Sequence, residues 1–333
     1  MLTGLSASLR TATGGRPALF GAAALLVVGA ALLPISWYRG CWLERQYEMS
    51  AATARSWLSS QLKTSGLIVA AGALLAEFVM WSMRWPHLWW AIAALGCGAI
   101  SVLLTASGPV LFLPLLEGAR PLTRKLLQHR LERLSARAGV PVLGVHELPL
   151  GSHSRRVTAA LVGAGATRRI VLSDTLLNDY SDDEIEVVMA HEMGHHVHRH
   201  VWKSLIGELC LLLAAFRTAA AALDASWAWL GLSSAGDVAG LPVFVVTAGA
   251  VLVAATPIVN AWSRSHERLA DRFALETASH PAAFIGAVRR MAAQNLAEER
   301  PSGTAFLFFH THPTAEERIA AARELLGKRE GMR

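Results

Sequence analysis

Three stretches of the chain contain no Asp, Glu, Lys or Arg: Pro17–Tyr38, Leu88–Leu116 and Val238–Ser263. Each meets the roughly 20 apolar residues that a helix needs to cross a bilayer. In hydrocarbon the backbone must satisfy its own polar groups, so such runs dictate helices. Thr64–Met83 is a fourth stretch, interrupted only by Glu77. Trp202–Leu230 is a fifth and weaker one, carrying Lys203, Glu208, Arg217 and Asp224. The composition agrees, with 53% hydrophobic residues over a length of 333 and a mean hydropathy of +0.37. That is too apolar for an ordinary soluble enzyme. Arg10 and Arg16 ahead of the first run resemble a signal sequence, but 22 residues is long for one. Later spans also follow it, so a retained anchor is expected. The chain reads as a polytopic membrane protein.

The formal charge of +6 is placed rather than spread. Arg120, Arg124, Lys125, Arg130, Arg133 and Arg137 all follow the third span closely. By the positive-inside rule that segment is cytoplasmic, which puts the N-terminus outside. No aromatic or groove-binding motif accompanies these charges, so no nucleic-acid partner is expected. Cys41, Cys97 and Cys210 are scattered and suggest neither a disulfide framework nor a zinc knuckle. Arg outnumbers Lys 27 to 4, the bias of a GC-rich bacterial genome.

Four regions are expected: a transmembrane part over 1–117 with about three spans, a catalytic segment over 118–200, two further spans over 201–262, and a cytoplasmic helical segment over 263–333. Residues 38–64 form a polar loop with helical stretches, and RWPH (84–87) a tight turn. Pro109 and Pro114 are expected to kink the end of the third span. A basic amphipathic helix covers about 121–138, ended by Gly139 and Pro141. Then VLGVHEL (142–148), RVTAALVG (156–163) and RRIVLSD (168–174) are short and β-prone, and predict a small antiparallel sheet. Ser181 and Glu184 form a capping box that opens a long helix, expected to run on into the fifth apolar stretch. After the last span, helices are expected at about 264–278, 281–298 and 314–327.

The capped helix carries VVMAHEMGHHVHRH (187–200), with five histidines in ten positions. Positions i and i+4 differ by only about 40° around a helix. His191 and His195 therefore leave one face about one turn apart, which suits two imidazoles on a tetrahedral zinc. Glu192 lies beside them, placed to act as a base on a metal-activated water. A histidine-rich surface helix is the plain alternative. His198 returns to the same face, but seven residues at ~1.5 Å carry it about 10 Å along the axis, beyond the reach of bonds of ~2 Å. His196 and His200 point elsewhere, and all three read as interface histidines. Gly194 costs about 1 kcal/mol in a helix interior, so close backbone packing is expected there. A third ligand must come from elsewhere, and the candidate follows the last span, in SRSHERLADRFALE (263–276). There Glu267 and Asp271 share a face at i, i+4. Glu267 suits a ligand, and Asp271 suits an acceptor for a ligand histidine's ring N–H. From spacing alone, a solvated helix with Glu–Arg pairs fits these residues equally well.

With HEMGH (191–195), SRSHERLAD (263–271) and HTHPTAEERI (310–319) in order, the chain resembles the integral-membrane gluzincin metalloproteases, a group comprising CAAX prenyl proteases and HtpX-type proteases. RRIVLSDTLL (168–177) and WLERQYEMSAATARSWLSSQLK (42–63) extend the resemblance, the latter toward the CAAX prenyl protease type. The resemblance implies a small α+β zincin-like catalytic domain on an α-helical bundle, and one Zn2+ per chain held by His191, His195 and Glu267. It further implies that Asp271 supports a ligand and that His312 and Arg318 steady the oxyanion. Strand 156–163 would be an edge onto which an extended substrate adds. There the family usually has Asn-Ala where this chain has Thr158-Ala159.

The expected protein is a zinc metalloendopeptidase of a bacterial cytoplasmic membrane, with its active site on the cytoplasmic side. Glu192 acts as general base. The partners are the lipid bilayer and an extended peptide or membrane-protein substrate, with or without an attached lipid. HtpX-like quality control is the alternative substrate reading, and a non-catalytic, zinc-stabilised membrane scaffold is the alternative of another class. Glu77, Glu208, Arg217 and Asp224 are expected to line a wet cavity, as intramembrane ionisable groups usually do.

Overall fold

The computed structural model describes residues 2–47, 53–111, 118–149, 157–163, 168–234, 236–294, 298 and 300–330. The chain begins with α1 (Leu2–Ala12), α2 (Pro17–Trp37), a π-helical turn over Tyr38–Leu43, α3 (Glu44–Gln46), α4 (Ala54–Ser82) and α5 (Trp89–Leu111). Then come β1 (Arg120–Pro121), α6 (Lys125–Arg137), β2 (Val145–Leu148), β3 (Ala159–Val162), β4 (Arg169–Ser173), α7 (Asp174–Asp179) and α8 (Asp182–Val197). The remainder is α9 (His200–Ser226), α10 (Leu241–Thr277), α11 (Pro281–Gln294), α12 (Gly303–Phe309) and α13 (Ala315–Glu330). Among the described residues, five helical stretches are long and apolar enough to cross a membrane: Pro17–Gln46, Ala54–Ser82, Trp89–Ala106, His200–Ser226 and Val238–Thr277. These match the five apolar stretches of the sequence, the weak fifth included. The protein is an α-helical polytopic membrane protein with a small sheet-bearing region.

The chain divides into two compact units, residues 1–102 with 205–255 and residues 103–204 with 256–333. In the first, α2 packs on α4 through small residues: a methyl group on Gly21 would stand 2.8 Å from Ala76 Cβ. Close approach of this kind suits helices in lipid, where packing rather than hydrophobicity drives association. Glu77, Glu208, Arg217 and Asp224 are all exposed. Glu77 accepts from Ala18 N (3.3 Å), Glu208 from Ser101 Oγ (2.6 Å), and Arg217 lies over the Trp90 ring.

The second unit has a core of Leu127, Leu131 and Leu134 from α6, Ile170 and Leu172 from β4, and Ile185, Met189 and Met193 from α8. Phe284 of α11 and Ala322 of α13 close it. The expected antiparallel sheet is in fact mixed, in the order β1-β2-β4-β3. β2 runs parallel to β4, pairing Val145 with Ile170 and Leu148 with Ser173. β3 pairs antiparallel with β4 as an outer strand. The reason lies in β4, where Ile170–Ser173 are all buried. A strand buried on both faces belongs at the centre of a sheet. Residue 156 of the expected strand 156–163 lies outside the described residues, as do Pro114 and 295–297.

Two helical boundaries differ from expectation. α8 does not run on: it stops at Val197, and Arg199 takes a left-handed φ of 55° before α9 begins at His200. By contrast, the last span and the expected helix at 264–278 are one element, α10, of 37 residues with Pro257 inside it. The start of α8 is as expected, for Ser181 accepts from Glu184 N while Glu184 accepts from Ser181 N. Several of the clustered arginines have a structural task. Arg124 pairs with Asp182, Arg130 with Asp183 and Glu186, and Arg137 with Glu186, fastening α6 to α8.

Candidate metal centre

α8 and α10 bring the site together because Gly194 lets them touch. A Cβ on Gly194 would lie 3.0 Å from Ala270 Cα and 3.3 Å from Phe273 Cβ. The expected close packing is therefore present, and it is α10 that approaches. Glu267 and Asp271, four residues apart, face α8 from this contact.

Two ring nitrogens and both oxygens of one carboxylate converge. His191 Nε2 lies 3.2 Å from His195 Nε2 and 3.3 Å from Glu267 Oε2, and His195 Nε2 lies 3.5 Å from Glu267 Oε1. Bonds of ~2.0–2.1 Å in a tetrahedral arrangement separate adjacent ligand atoms by ~3.3–3.4 Å, so these spacings fit a zinc ion. Glu267 Oε2 is fully buried without an aligned hydrogen-bond donor, although His191 Nε2 and His312 Nδ1 come within 3.3 and 2.9 Å. A buried carboxylate oxygen left in that state suits a cation. Among the described residues this is the one such His/Cys/Asp/Glu group.

Around the triad stands a second layer. His191 Nδ1 is 2.8 Å from Asp271 Oδ1, at hydrogen-bond distance although the ring N–H is not aimed along that line. Asp271 in turn accepts two hydrogen bonds from Arg318, from Nε at 2.8 Å and Nη2 at 2.6 Å. The expected partners Asp271 and Arg318 are thus brought to the site as a chain, Arg318 to Asp271 to His191. His312 stands by Glu267 with an exposed side chain.

Sequence reasoning missed one residue. His200, read as pointing elsewhere, is buried with its Nδ1 2.9 Å from His195 Nδ1. Its ring stacks on His266 at 4.1 Å, nearly parallel. On a continuous helix a residue five positions on would face away, at roughly 500° of rotation. The left-handed Arg199 redirects the chain and returns His200 to His195. A left-handed arginine leaves no mark in the sequence.

A cavity of about 370 Å3 opens beside the triad. Its polar wall includes His191, Glu192, Glu267, His312 and Arg318, and its apolar wall Val187, Phe284, Val288 and Met291. Burial pushes the Glu192 carboxyl above the usual carboxylate range, against the pull of His191. Burial lowers His191, but Asp271 and Glu267 outweigh it and raise it to about 9. Burial and the neighbouring His191 push His195 down to about 4. β3 is one of the sheet's two outer strands among the described residues, and Thr158 and Ser173 exchange hydrogen bonds at its start, Thr158 N to Ser173 Oγ and Ser173 N to Thr158 O.

Fold and site together define a polytopic membrane protein with a zincin-like His-His-Glu centre. A profile of peptidase family M48 matches residues 121–326. A profile described as the CAAX prenyl protease N-terminal region with five membrane helices matches residues 4–117, where three of this chain's span-length helices lie. The chain is 30% identical over 304 residues to the uncharacterized metalloprotease YhfN of Bacillus subtilis, covering 90% of this chain and 71% of that one. It is 30% identical over 178 residues to CAAX prenyl protease 1 of Saccharomyces cerevisiae, covering 52% of this chain but only 39% of the yeast protein. The crystal structure of S. mikatae Ste24p shares the fold, with a TM-score of 0.81 and 22% identity over 92% of this chain and 75% of that one. The chain belongs to peptidase family M48.

Proposed function

We propose that this protein is a zinc-dependent endopeptidase of the CAAX prenyl protease type, acting on an extended peptide at the membrane. The observation that carries the reading is the convergence of His191 Nε2, His195 Nε2 and the two Glu267 carboxylate oxygens, with separations of 3.2–3.5 Å, on a cavity that Glu192 lines. His191, His195 and Glu267 hold the ion, and Asp271 orients His191 while Arg318 holds Asp271. A zinc ion held by His191, His195 and Glu267 would polarise the scissile carbonyl and bring the pKa of a water near neutrality. Glu192, on the cavity wall, would serve as base to the attacking water and as acid to the leaving amine as the C–N bond breaks. A carboxyl raised by burial is well matched to both steps, because its proton affinity approaches that of the groups it serves. His312, exposed beside Glu267, donates to the developing oxyanion, and Arg318 adds positive charge on the same wall. The substrate backbone adds to β3 as a further strand.

The remaining charges after the third span, Arg120, Lys125 and Arg133 among them, support a cytoplasmic placement of the site in a bacterial membrane. The experiment is cleavage of a farnesylated CAAX peptide beside its unprenylated twin by purified protein, with Glu192→Gln as blank. Preference for the lipidated peptide supports the prenyl-protease reading, and equal cleavage of both supports a general membrane endopeptidase. Wild-type turnover by Glu192→Gln refutes the assignment of the base.

A further inference from the structure

α12 is an anomalous helix to leave in water. Four of its seven residues, GTAFLFF, are Phe or Leu, yet none of them is buried by protein. Phe309 is 81% exposed and Leu307 45%. A helix this short does not hold itself together, so its order must come from contacts. Those contacts come from α10. Asn260 Nδ2 donates to Leu307 O at 2.9 Å. Arg264 Nη1 donates to Phe306 O at 3.2 Å and to His310 O at 2.7 Å, with its guanidinium 4.4 Å from the centre of the Phe306 ring. Asn260 and Arg264 are themselves buried.

Two consequences follow. The last carbonyls of a helix lack partners of their own, and in a medium without water that is costly. Here α10 supplies donors to the carbonyls of Phe306, Leu307 and the cap residue His310, which lowers the cost of an apolar surrounding at this end of α12. The level is also fixed, because Asn260 and Arg264 flank the end of the charge-free run Val238–Ser263. α12 is therefore tied to α10 at the depth where that helix passes from hydrocarbon to headgroups.

We propose that α12 is immersed in the bilayer surface, with Leu307 and Phe309 entering the acyl boundary and lipid as the occupant that covers them. The seating holds His310–Pro313, part of the wall of the metal cavity, at the lipid surface. A peptide that reaches the cavity along that wall would arrive from the membrane plane. The immersion itself does not depend on proteolysis and is tested without it.

Full-length protein with Cys41, Cys97 and Cys210 changed to Ser is given Phe309→Cys, labelled with an environment-sensitive fluorophore, and placed in phosphatidylcholine–phosphatidylglycerol vesicles. Lipids brominated near the headgroup end of the acyl chain should quench this label at least about twofold more than one at Arg323→Cys on α13. Aqueous iodide should reach it less. Leu307→Cys should behave alike, which guards against a disturbance local to 309. Equal lipid quenching at all three positions with full iodide access overturns the proposal. A blue-shifted label that responds to the protein-to-lipid ratio but not to brominated lipid also overturns it, since the cover is then a second copy of the chain.

Discussion

The two units bury opposite kinds of side chain. In residues 1–102 with 205–255, Ala76, Ala93, Ala94, Ala215, Ala219 and Ala220 are buried alongside aromatics such as Phe20 and Phe244, while Leu67, Leu74 and Ile206 stand outward. In residues 103–204 with 256–333, leucines, isoleucines and methionines are fully inside, and Glu186, Glu267 and Asp271 are buried with ionic partners. The difference reports the solvent of each. Lipid tails are as apolar as leucine, so a membrane bundle gains from close small-residue contacts rather than from hiding large side chains. Facing water, the second unit follows the hydrophobic effect, and so can enclose a few charges within a rigid core. The His191, His195 and Glu267 group, which could hold a metal ion, lies in the second unit, within that rigid core.

The largest effect expected from this contrast is in the core under α8. Leu131 is fully buried, and Leu131→Ala should cost about 2–5 kcal/mol, measured by denaturant unfolding of purified protein. A cost below 1 kcal/mol would mean that the second unit is as loosely packed as a lipid-facing surface. Next in size come the supports of the ligands. Asp271→Ala should weaken zinc binding about 10–100-fold in competition with a chelator, the usual loss for an orienting partner of a ligand. His200→Phe keeps the stacked ring but removes the nitrogen facing His195, so a loss nearer tenfold is expected, with His200→Asn recovering part of it. Unchanged affinity in His200→Phe would reduce the 2.9 Å contact to packing.

An effect of comparable size is expected from pH. In the metal-free protein His191 is raised to about 9 by Asp271 and Glu267 against its burial. A raised histidine stabilises the fold fully below its unfolded value, near 6.5, and that contribution is lost as pH rises through about 9. Chelator-treated protein should therefore lose up to about 3 kcal/mol between these limits, at about 1.4 kcal/mol per pKa unit, read as a falling Tm. Zinc requires the neutral ring, so its apparent affinity should rise over the same window, with a proton released on binding. A Tm of the chelated protein that climbs with pH would contradict the assignment of the His191 partners.

The sequence carried the apolar half of this contrast more fully than the metal half. Apolar runs mark spans because charge in hydrocarbon is costly, and all five of them, three charge-free and two carrying charges, coincide with span-length helices. The capping box at Ser181 and the i, i+4 pair of His191 and His195 are local patterns, readable without the fold. Glu267 and Asp271 were readable as a pair on one face, but their choice over any other acidic pair needed the resemblance. What was hidden depended on distant contacts. The parallel pairing of β2 with β4 is set by which strand ends in the centre, and the stop at Arg199 by tertiary packing rather than by Gly or Pro. His200 was lost with that stop, because helical geometry extended through 199 sends it away from the site. The approach of Arg318 to Asp271 spans 47 positions, beyond any local pattern.

The smallest effect tests the membrane half directly. Leu74 is 73% exposed on α4, and Leu74→Ala removes the same atoms as Leu131→Ala. In a bilayer those atoms exchange leucine–lipid contacts for lipid–lipid contacts, so the change should stay within about 0.5 kcal/mol in reconstituted protein. No cavity forms, because fluid acyl chains fill the space that a rigid core leaves empty. The equality of lipid and leucine fails only if position 74 is covered by something as rigid as protein. A cost well above 1 kcal/mol would thus show that α4 packs against a second copy of the chain, and the outward leucines of the first unit would then be interface rather than lipid surface.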